Sequence, residues 1–177
     1  MNNKAINKKT LYIVDVILFI VGIVLDRVSK YFAVIKLKDH PSVSVINGIM
    51  ELKYLENTGA AFGLLKNQKS FFVLVACFVL LGSLYVMIKT PAKKKYVSCH
   101  IYLSFILCGA IGNLIDRVLY GYVVDFIYIS IINFPIFNIA DIFVTVSTVL
   151  IACLLLFKYK EDDLNFLRIV EKKIRDI

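Results

Sequence analysis

The 177 residues of this sequence include no tryptophan, only two histidines and only four cysteines, and each scarcity argues against a class of protein. No C-x-x-C pair occurs among the cysteines, which are Cys77, Cys99, Cys108 and Cys153. They lie in or beside apolar runs, so they are interpreted as small buried apolar side chains and not as a disulfide framework, a metal site or the paired thiols of an oxidoreductase. His40 and His100 flank different segments, so a metal site that uses both is not expected. Without tryptophan, Tyr and Phe must supply the interfacial anchors of any membrane segment.

Hydropathy places the chain among membrane proteins. Its mean hydropathy is +0.78 and 59% of its residues are hydrophobic, against about 45–50% in soluble domains. The apolar residues come in long blocks, which favours several membrane spans over one soluble core. The net charge of +8 fits lysines that flank membrane helices. Nucleic-acid binding is not expected, because no basic stripe is interleaved with exposed aromatic residues.

The apolar blocks predict one polytopic membrane domain over residues 1–177 with four spans, at about 11–35, 71–88, 101–120 and 138–157. The first block begins like a signal peptide, but no small-x-small cleavage site follows it, so it is interpreted as a retained span. The N-terminus, the loop at 89–95 and the tail at 158–177 together carry 13 of the 21 Lys and Arg residues. The positive-inside rule therefore predicts that both termini are cytoplasmic. In the tail, helical spacing of Leu164, Leu167, Ile174 and Ile177 predicts a short amphipathic helix on the membrane surface.

A different pattern covers residues 42–63, on the predicted outer side. Two runs in which apolar and polar residues alternate flank Asn47-Gly48, which predicts a β-hairpin. Gly59 and Gly63 then flank a turn of small residues, which would allow a ligand to approach the backbone closely.

The stretch from Gly109 to Asp141 concentrates the polar residues. Within an apolar surrounding it contains three carboxylates, Asp116, Asp125 and Asp141, and the two asparagines Asn113 and Asn138 besides Asn133. Asn113 and Asn138 each precede an aspartate by three residues, a spacing that puts both side chains on one face of a helix. Ionisable groups in or beside a membrane segment are costly and by default mark a functional site. Asp26 and Lys30, spaced i,i+4 near the outer end of the first span, could pair on one face, either as part of that site or as an interfacial cap.

The residue types limit the chemistry. The sequence offers no evident Ser–His or Cys–His pair and no cluster of metal ligands, so neither a metal nor another cofactor is expected. Two carboxylates that share a site cannot both ionise easily, so one keeps a proton and can act as acid while the other acts as base. Three alternatives stay open on spacing alone: a polar network that only locks the helices together, a small carboxylate-based transporter or ion-binding bundle, and a non-enzymatic assembly subunit.

Five motifs then carry a specific resemblance. DRVSK, ENTGAAFG, GNLIDR, VVDF and FNIAD, in this order between about residues 26 and 141, resemble the five motifs of lipoprotein signal peptidase, or signal peptidase II. The resemblance implies a metal-free aspartyl endopeptidase of the bacterial plasma membrane. It would remove signal peptides from diacylglyceryl-modified prolipoproteins, just before the lipidated cysteine, and be inhibited by globomycin. The implied fold is mainly α, a four-helix transmembrane bundle with a small extracytoplasmic β-cradle, and its active site would lie near the outer leaflet.

The resemblance also implies roles for individual residues. Asp125 and Asp141 match the catalytic pair, and the substrate-contacting polar residues match Asn57, Asn113, Arg117 and Asn138. Asp26, Lys30 and Asp116 would form a supporting polar network. The expected partners are prolipoproteins, membrane lipid and globomycin-type inhibitors, and a monomer is expected.

Local environments favour the same catalytic pair. Asp116 directly precedes Arg117, and a nearby charge partner would keep it ionised and make it a poor proton shuttle. Asp125 lies between Val124 and Phe126, where desolvation would raise its pKa. Asp141 falls in the first turn of the fourth helix, where the helix dipole favours the anion. Which of the two acids holds the proton stays open at this point, because a coupled pair titrates as a unit.

Overall fold

A computed structural model describes residues 4–59, 65 and 67–167 of the chain. The described residues form four α-helices and three β-strands: α1 (Lys8–Leu37), β1 (Val43–Ile46), β2 (Met50–Asn57), α2 (Lys69–Lys89), α3 (Val97–Tyr120), β3 (Val123–Ile129) and α4 (Ile139–Cys153). A π-helical turn, Leu154–Lys158, extends α4, and a 3-10 helix, Glu161–Leu167, begins the tail. Each predicted span therefore coincides with one helix.

Three of the described helical segments are long and apolar enough to cross a membrane: Lys69–Lys89, Lys94–Tyr120 and Ile139–Lys158. On α2, large apolar side chains such as Phe78 (78% exposed) and Leu81 (69% exposed) point away from the protein, as lipid-facing side chains do. The first helix is the longest at 30 residues, but it carries Asp15, Asp26 and Lys30, all buried. Many of its large apolar side chains, such as Ile17, Ile20 and Phe32, are exposed.

The helix α3 lies at the centre and packs against the other three helices. Its buried stripe is made largely of small and polar residues, from Cys99 to Asp116, which lets neighbouring helices approach closely. Gly109 packs on α4, where a Cβ atom would lie 2.5 Å from the carbonyl oxygen of Ala140. We call the end of the bundle where α1 ends and α4 begins the sheet end, and the opposite end the tail end.

The predicted hairpin is present. Strands β1 and β2 pair antiparallel across a turn in which Gly48 has φ +70°, a conformation that glycine adopts without strain. The described residues extend this hairpin to a three-stranded sheet, because β3 pairs antiparallel with β2. The predicted spans at 101–120 and 138–157 leave residues 121–137 as a connecting loop, and that interpretation is wrong for β3. The predicted turn at residues 60–63 lies outside the described residues.

The start of the tail folds back onto the bundle. Leu164 and Phe166 pack against a buried cluster at the tail end that includes Tyr96 and Tyr159, and Lys95 forms an ion pair with Asp163. The described part of the predicted amphipathic helix is thus a 3-10 helix in contact with α2 and α3, while Ile174 and Ile177 lie outside the described residues.

Candidate active site

The start of α4 places two of the candidate residues. Phe137 pairs with Ile127 of β3, with hydrogen bonds of 2.8 and 3.0 Å, so the chain enters α4 directly beside the sheet. Asn138 then caps the helix: its Oδ1 accepts a hydrogen bond from the Asp141 amide (3.0 Å), and Asp141 Oδ2 accepts one from the Asn138 amide (3.1 Å). This reciprocal capping box fixes both side chains relative to the backbone and holds the Asp141 carboxylate at the helix N-terminus.

Asp125 reaches the same place from β3. Its strand position is opposite Leu55 of β2, and its side chain is 1% exposed. Both carboxylate oxygens accept hydrogen bonds from asparagine amides, Oδ2 from Asn57 (2.7 Å) and Oδ1 from Asn138 (2.6 Å). Asn138 therefore touches both candidate catalytic aspartates, one through its side chain and the other through its helix cap.

A third asparagine completes the connection. Asn113 of α3 donates its amide to Asp141 Oδ1 (2.7 Å), and its own Oδ1 accepts hydrogen bonds from Asn138 Nδ2 (3.2 Å) and from Lys30 Nζ (2.8 Å). An ammonium can only donate, so Lys30 fixes which end of the Asn113 amide faces Asp141.

Four charged side chains support this network from α1 and α3. Lys30 Nζ lies 2.8 Å from Asp116 Oδ2 and 3.1 Å from Asp26 Oδ1; the second contact is an ion pair without hydrogen-bond geometry. Arg27 binds Asp116 Oδ1 (2.6 Å), contacts Asp26 as well, and donates to the Gly112 carbonyl (2.8 Å). The predicted pair of Asp26 and Lys30 is thus part of a buried group of two cations and two anions with no net charge.

Contrary to what the sequence suggested, Asp116 does not pair with Arg117, its neighbour in the sequence. Arg27 and Lys30 bind Asp116, and Arg117 does not, because adjacent helical residues point about 100° apart. Asp116 Oδ2 also accepts a hydrogen bond from the backbone amide of Val124 (3.2 Å). Asp116 therefore holds β3 at the residue next to Asp125.

Arg117 instead contacts the segment after β2. Its guanidinium donates to the Gly59 carbonyl (3.3 Å) and stacks over the ring of Phe72 on α2, 4.8 Å from the centroid. The Gly59 amide in turn donates to Asn57 Oδ1 (2.9 Å), which fixes the orientation of the Asn57 amide toward Asp125. All nine residues named by the motifs thus lie in one connected region at the sheet end.

Two members of this region were not among the predicted site residues. Arg27 lies inside the first motif, but its charge resembled that of an ordinary interfacial residue. Gly112 precedes Asn113, and a Cβ atom there would lie 2.6 Å from Asp26 Oδ2, so any larger residue would have to displace the Asp26 carboxylate. Both residues belong to motifs, Arg27 to DRVSK and Gly112 to GNLIDR, so these motifs could have identified them.

The electrostatics of the site act strongly on Asp125. Burial raises the pKa of the Asp125 carboxyl to about 7, and the negative charge of Asp141 acts in the same direction. Hydrogen bonds from Asn57 and Asn138, together with the charge of Lys30, partly offset this rise in pKa. Among residues 4–59, 65 and 67–167, no three His, Cys, Asp or Glu side chains come together in a way that could hold a metal ion. The arrangement offers two carboxylates bound to one asparagine, and burial raises the pKa of one of them to about 7.

Comparisons with known proteins show which family the chain is similar to. A family model described as signal peptidase (SPase) II matches residues 18–157. The lipoprotein signal peptidase of Clostridium novyi (strain NT) is 41% identical over 145 residues, which cover 80% of this chain and 97% of that protein. The lipoprotein signal peptidase of Caldanaerobacter subterraneus subsp. tengcongensis is 44% identical over 135 residues, which cover 76% of this chain and 90% of that protein.

Solved structures give the same result for the fold. A bacterial membrane enzyme solved at 2.3 Å resolution is 33% identical, with a TM-score of 0.76 over 91% of this chain and 97% of that one. Together with its apolar helices, this likeness makes the chain a membrane protein. The comparisons give no support to a transporter or an ion-binding bundle.

Proposed function

The chain belongs to the signal peptidase II family, and we propose that it removes signal peptides from prolipoproteins as an aspartyl endopeptidase with Asp125 and Asp141 as its catalytic pair. The observation that carries the proposal is the position of Asn138, which binds both carboxylates at once. A network that only locked helices together would not need two acids facing one asparagine. For one aspartate to act as acid and the other as base, the two must lie in different environments. Amides of fixed orientation around each aspartate help to provide these environments.

The proton shared by the pair resides on Asp125 in the resting enzyme. A pKa of about 7 keeps that carboxyl protonated below neutral pH and about half protonated at pH 7. Asp141 accepts a backbone hydrogen bond at a helix N-terminus, where the partial positive charge of the helix stabilises the anion. Asp125 is therefore the acid and Asp141 the base.

The reaction follows from these roles. Asp141 takes a proton from water as the water oxygen attacks the scissile carbonyl carbon, and Asp125 gives its proton to the carbonyl oxygen. The tetrahedral diol then collapses: Asp141 passes its proton to the leaving amide nitrogen as the C–N bond breaks, and Asp125 recovers a proton from a diol hydroxyl. Both carboxyls return to their starting states, and one water is consumed for each bond cleaved.

The proposed topology has four spans with both termini in the cytoplasm. At 30 residues, α1 is about 45 Å long, enough to cross a hydrocarbon core of about 30 Å. Its ionisable residues Asp15, Asp26 and Lys30 are buried against other helices, so the face it offers to lipid is apolar. The excess of Lys and Arg at the tail end then puts the sheet end, and with it the active site, near the outer leaflet.

The substrate is held from both sides of the scissile bond. Acyl chains on the substrate cysteine remain in lipid against the apolar flanks of the bundle, where each buried CH₂ contributes roughly 0.8 kcal/mol. The extended signal peptide needs polar partners in this environment, and Asn57 and Arg117, at the edge of the polar region, are suited to supply them. Globomycin would occupy the same cleft. Every side chain of the proposed site comes from one chain, so a monomer suffices.

The test is a cleavage assay on purified enzyme with a diacylglyceryl-modified prolipoprotein, read as a mobility shift. Asp125→Asn and Asp141→Asn should each lower turnover by at least about a thousandfold while the protein stays folded, because asparagine keeps the shape and cannot exchange the proton. The unlipidated prolipoprotein should be cut far more slowly by the wild-type enzyme.

The controls separate the parts of the proposal. Asp163→Asn, on the tail, removes a carboxylate far from the pair and should leave turnover unchanged. Substantial turnover in either dyad variant would remove that residue from the catalytic role, and equal cleavage of both substrates would overturn the lipid docking. Loss of activity in EDTA that a divalent ion restores would replace the proposed water activation by a metal-dependent one.

A further inference from the structure

A second buried polar cluster lies near the tail end of the bundle, away from the proposed active site. Asp15 of α1 is 5% exposed and His100 of α3 is fully buried, and His100 Nδ1 lies 2.9 Å from Asp15 Oδ2. The Ser104 hydroxyl donates to the His100 carbonyl (3.0 Å) and lies 3.4 Å from Asp15 Oδ1. Burying such groups in an apolar interior is costly, so the pair calls for an explanation that the peptidase chemistry does not provide.

The surroundings of the pair are apolar. Asp15 and Ser104 line a cavity of about 320 Å³ between α1, α2 and α3, whose other walls are side chains such as Phe19, Leu84 and Met87. Within the described residues, His100 Nε2 has no hydrogen-bond partner. The contact between His100 and Asp15 is therefore the main polar interaction of each side chain, and it joins α1 to α3.

The pair lies on the interface between α1 and α3, which also reaches the proposed active site. The contact between Asp15 and His100 spans 85 residues of sequence, and so does the hydrogen bond from Arg27 to the Gly112 carbonyl at the sheet end. Between them Gly22 packs directly on Cys108, at an offset that differs by one residue. One register of α1 against α3 therefore runs from the tail end to the sheet end.

That register determines where Lys30 meets Asn113. Lys30 follows Asp15 on α1 by about 22 Å along the helix axis, and both helices are continuous over this distance. Apolar contacts tolerate sliding, whereas a buried hydrogen-bonded pair disfavours every register that leaves its members unpaired. A pair at one end of two continuous helices can in this way set the position of a residue at the other end.

We propose that Asp15 and His100 are positioning residues of the peptidase: their hydrogen bond fixes α1 against α3 and so holds Lys30 on Asn113 beside the catalytic pair. The inference rests on the proposed roles of Asp125 and Asp141. The positioning then depends on the hydrogen bond at His100 Nδ1, and His100 Nε2 has no role in it.

Substitutions of His100 separate these atoms. His100→Asn keeps a donor at the place of Nδ1 and should retain kcat within about twofold, whereas His100→Leu should lower kcat about tenfold with KM little changed, as small misplacements in active sites do. His100→Leu should also move the alkaline limb of the pH–rate profile upward, and Lys30→Met should do the same, because the charge of Lys30 lowers the pKa of Asp125. His40→Asn, at the exposed histidine, is the matched control and should change nothing.

A double variant keeps the test informative if His100→Leu folds poorly. Asp15→Leu/His100→Leu contains no unpaired polar group, so its Tm should recover, but its kcat and pH profile should stay altered because the register of α1 on α3 is no longer fixed at the tail end. Full recovery of kcat in the double variant would overturn the proposal, and so would loss of activity in His100→Asn equal to that in His100→Leu. A change in Tm alone, with kcat and pH profile unchanged, would reduce the pair to a purely structural role.

These outcomes are distinct from failure of the catalytic proposal. If Asp125→Asn remained active, the assignment of the dyad would fall. The effect of His100→Leu on Tm and its recovery in the double variant would still report whether Asp15 and His100 are coupled.

Discussion

Two buried polar clusters join the same pair of helices, and they differ in how completely their members are bonded. At the tail end, Asp15 and His100 come from α1 and α3 alone, and among the described residues His100 Nε2 is left without a partner. At the sheet end, β2, β3 and the start of α4 add donors to the same interface, and the amides of Asn57, Asn113 and Asn138 each have their orientation fixed. Burial of polar groups is common to both clusters, so burial alone does not identify the reactive one.

What distinguishes the sheet end is fixed orientation. Lys30 orients Asn113 toward Asp141, and the Gly59 amide orients Asn57 toward Asp125. Each carboxylate therefore meets amide donors from residues whose own acceptors are already occupied. Preorganised donors of this kind need not rearrange during the reaction. A catalytic site needs this property, whereas a polar contact that only joins two helices does not.

Among the variants that compare the two clusters, Lys30→Met should have the largest effect on Tm and kcat. The change leaves Asp26 and Asp116 buried with Arg27 as their remaining cation, and breaking a buried charge pair of this kind costs about 3–5 kcal/mol. It also removes the shorter of the two hydrogen bonds that orient Asn113 toward Asp141 and leaves the one from Asn138. We expect a lower Tm in detergent together with at least about a hundredfold loss of kcat.

Lys36→Met is the matched control for Lys30→Met, because Lys36 lies on the same helix and is exposed. It should leave both Tm and kcat near the wild-type values. If Lys30→Met retained wild-type kcat, the orientation of Asn113 would not depend on the ammonium, and the distinction drawn between the two clusters would lose its basis.

Much of the sheet end followed from the sequence because the relevant signals are local. The apolar blocks located the helices, Asn47-Gly48 located the hairpin, and the i,i+3 spacing of Asn138 and Asp141 became a capping box. These features depend on residues within a few positions of one another. The motifs supplied the remaining residues of the region, including both candidate catalytic aspartates.

The features that sequence reasoning missed depend on distant contacts. Strand β3 has Asp125 near its middle, a residue disfavoured in strands, and it forms only because β2 pairs beside it. Asp116 binds Arg27, 89 residues away, and not its neighbour Arg117. Asp15 and His100 are 85 residues apart in the sequence, and only the register of α1 on α3 brings them together.

A second prediction uses pH to sharpen the difference between the two clusters. Burial raises the pKa of Asp125 from 3.8 to about 7, so between these values the folded protein binds a proton that the unfolded chain has released. Stability should therefore fall as pH rises from about 4 to about 7, and activity should decline above about 7 as the acid is lost.

The measurement is Tm at several pH values for the wild type and Asp125→Asn, with the pH–rate profile of the wild type. The variant should show a shallower decrease of Tm with pH, because asparagine does not titrate. Parallel curves for the two proteins would mean that Asp125 is not protonated in the folded state, and the roles of acid and base would have to be reversed.

The smallest effect is expected where an ion pair of the same residue types lies in solvent. Lys38, just after α1, donates to Glu56 of β2 at 2.9 Å, but the side chains are 42% and 38% exposed. This hydrogen bond lowers the pKa of Glu56, and water screens the pair so that it adds little to stability. Lys38→Met should therefore leave Tm and kcat unchanged within error, although Lys38 lies only eight residues after Lys30 on the chain. A loss of activity approaching that of Lys30→Met would show that position near the sheet matters more than burial and fixed orientation, and it would shift attention from Asn113 to the β2 strand as the element that organises the site.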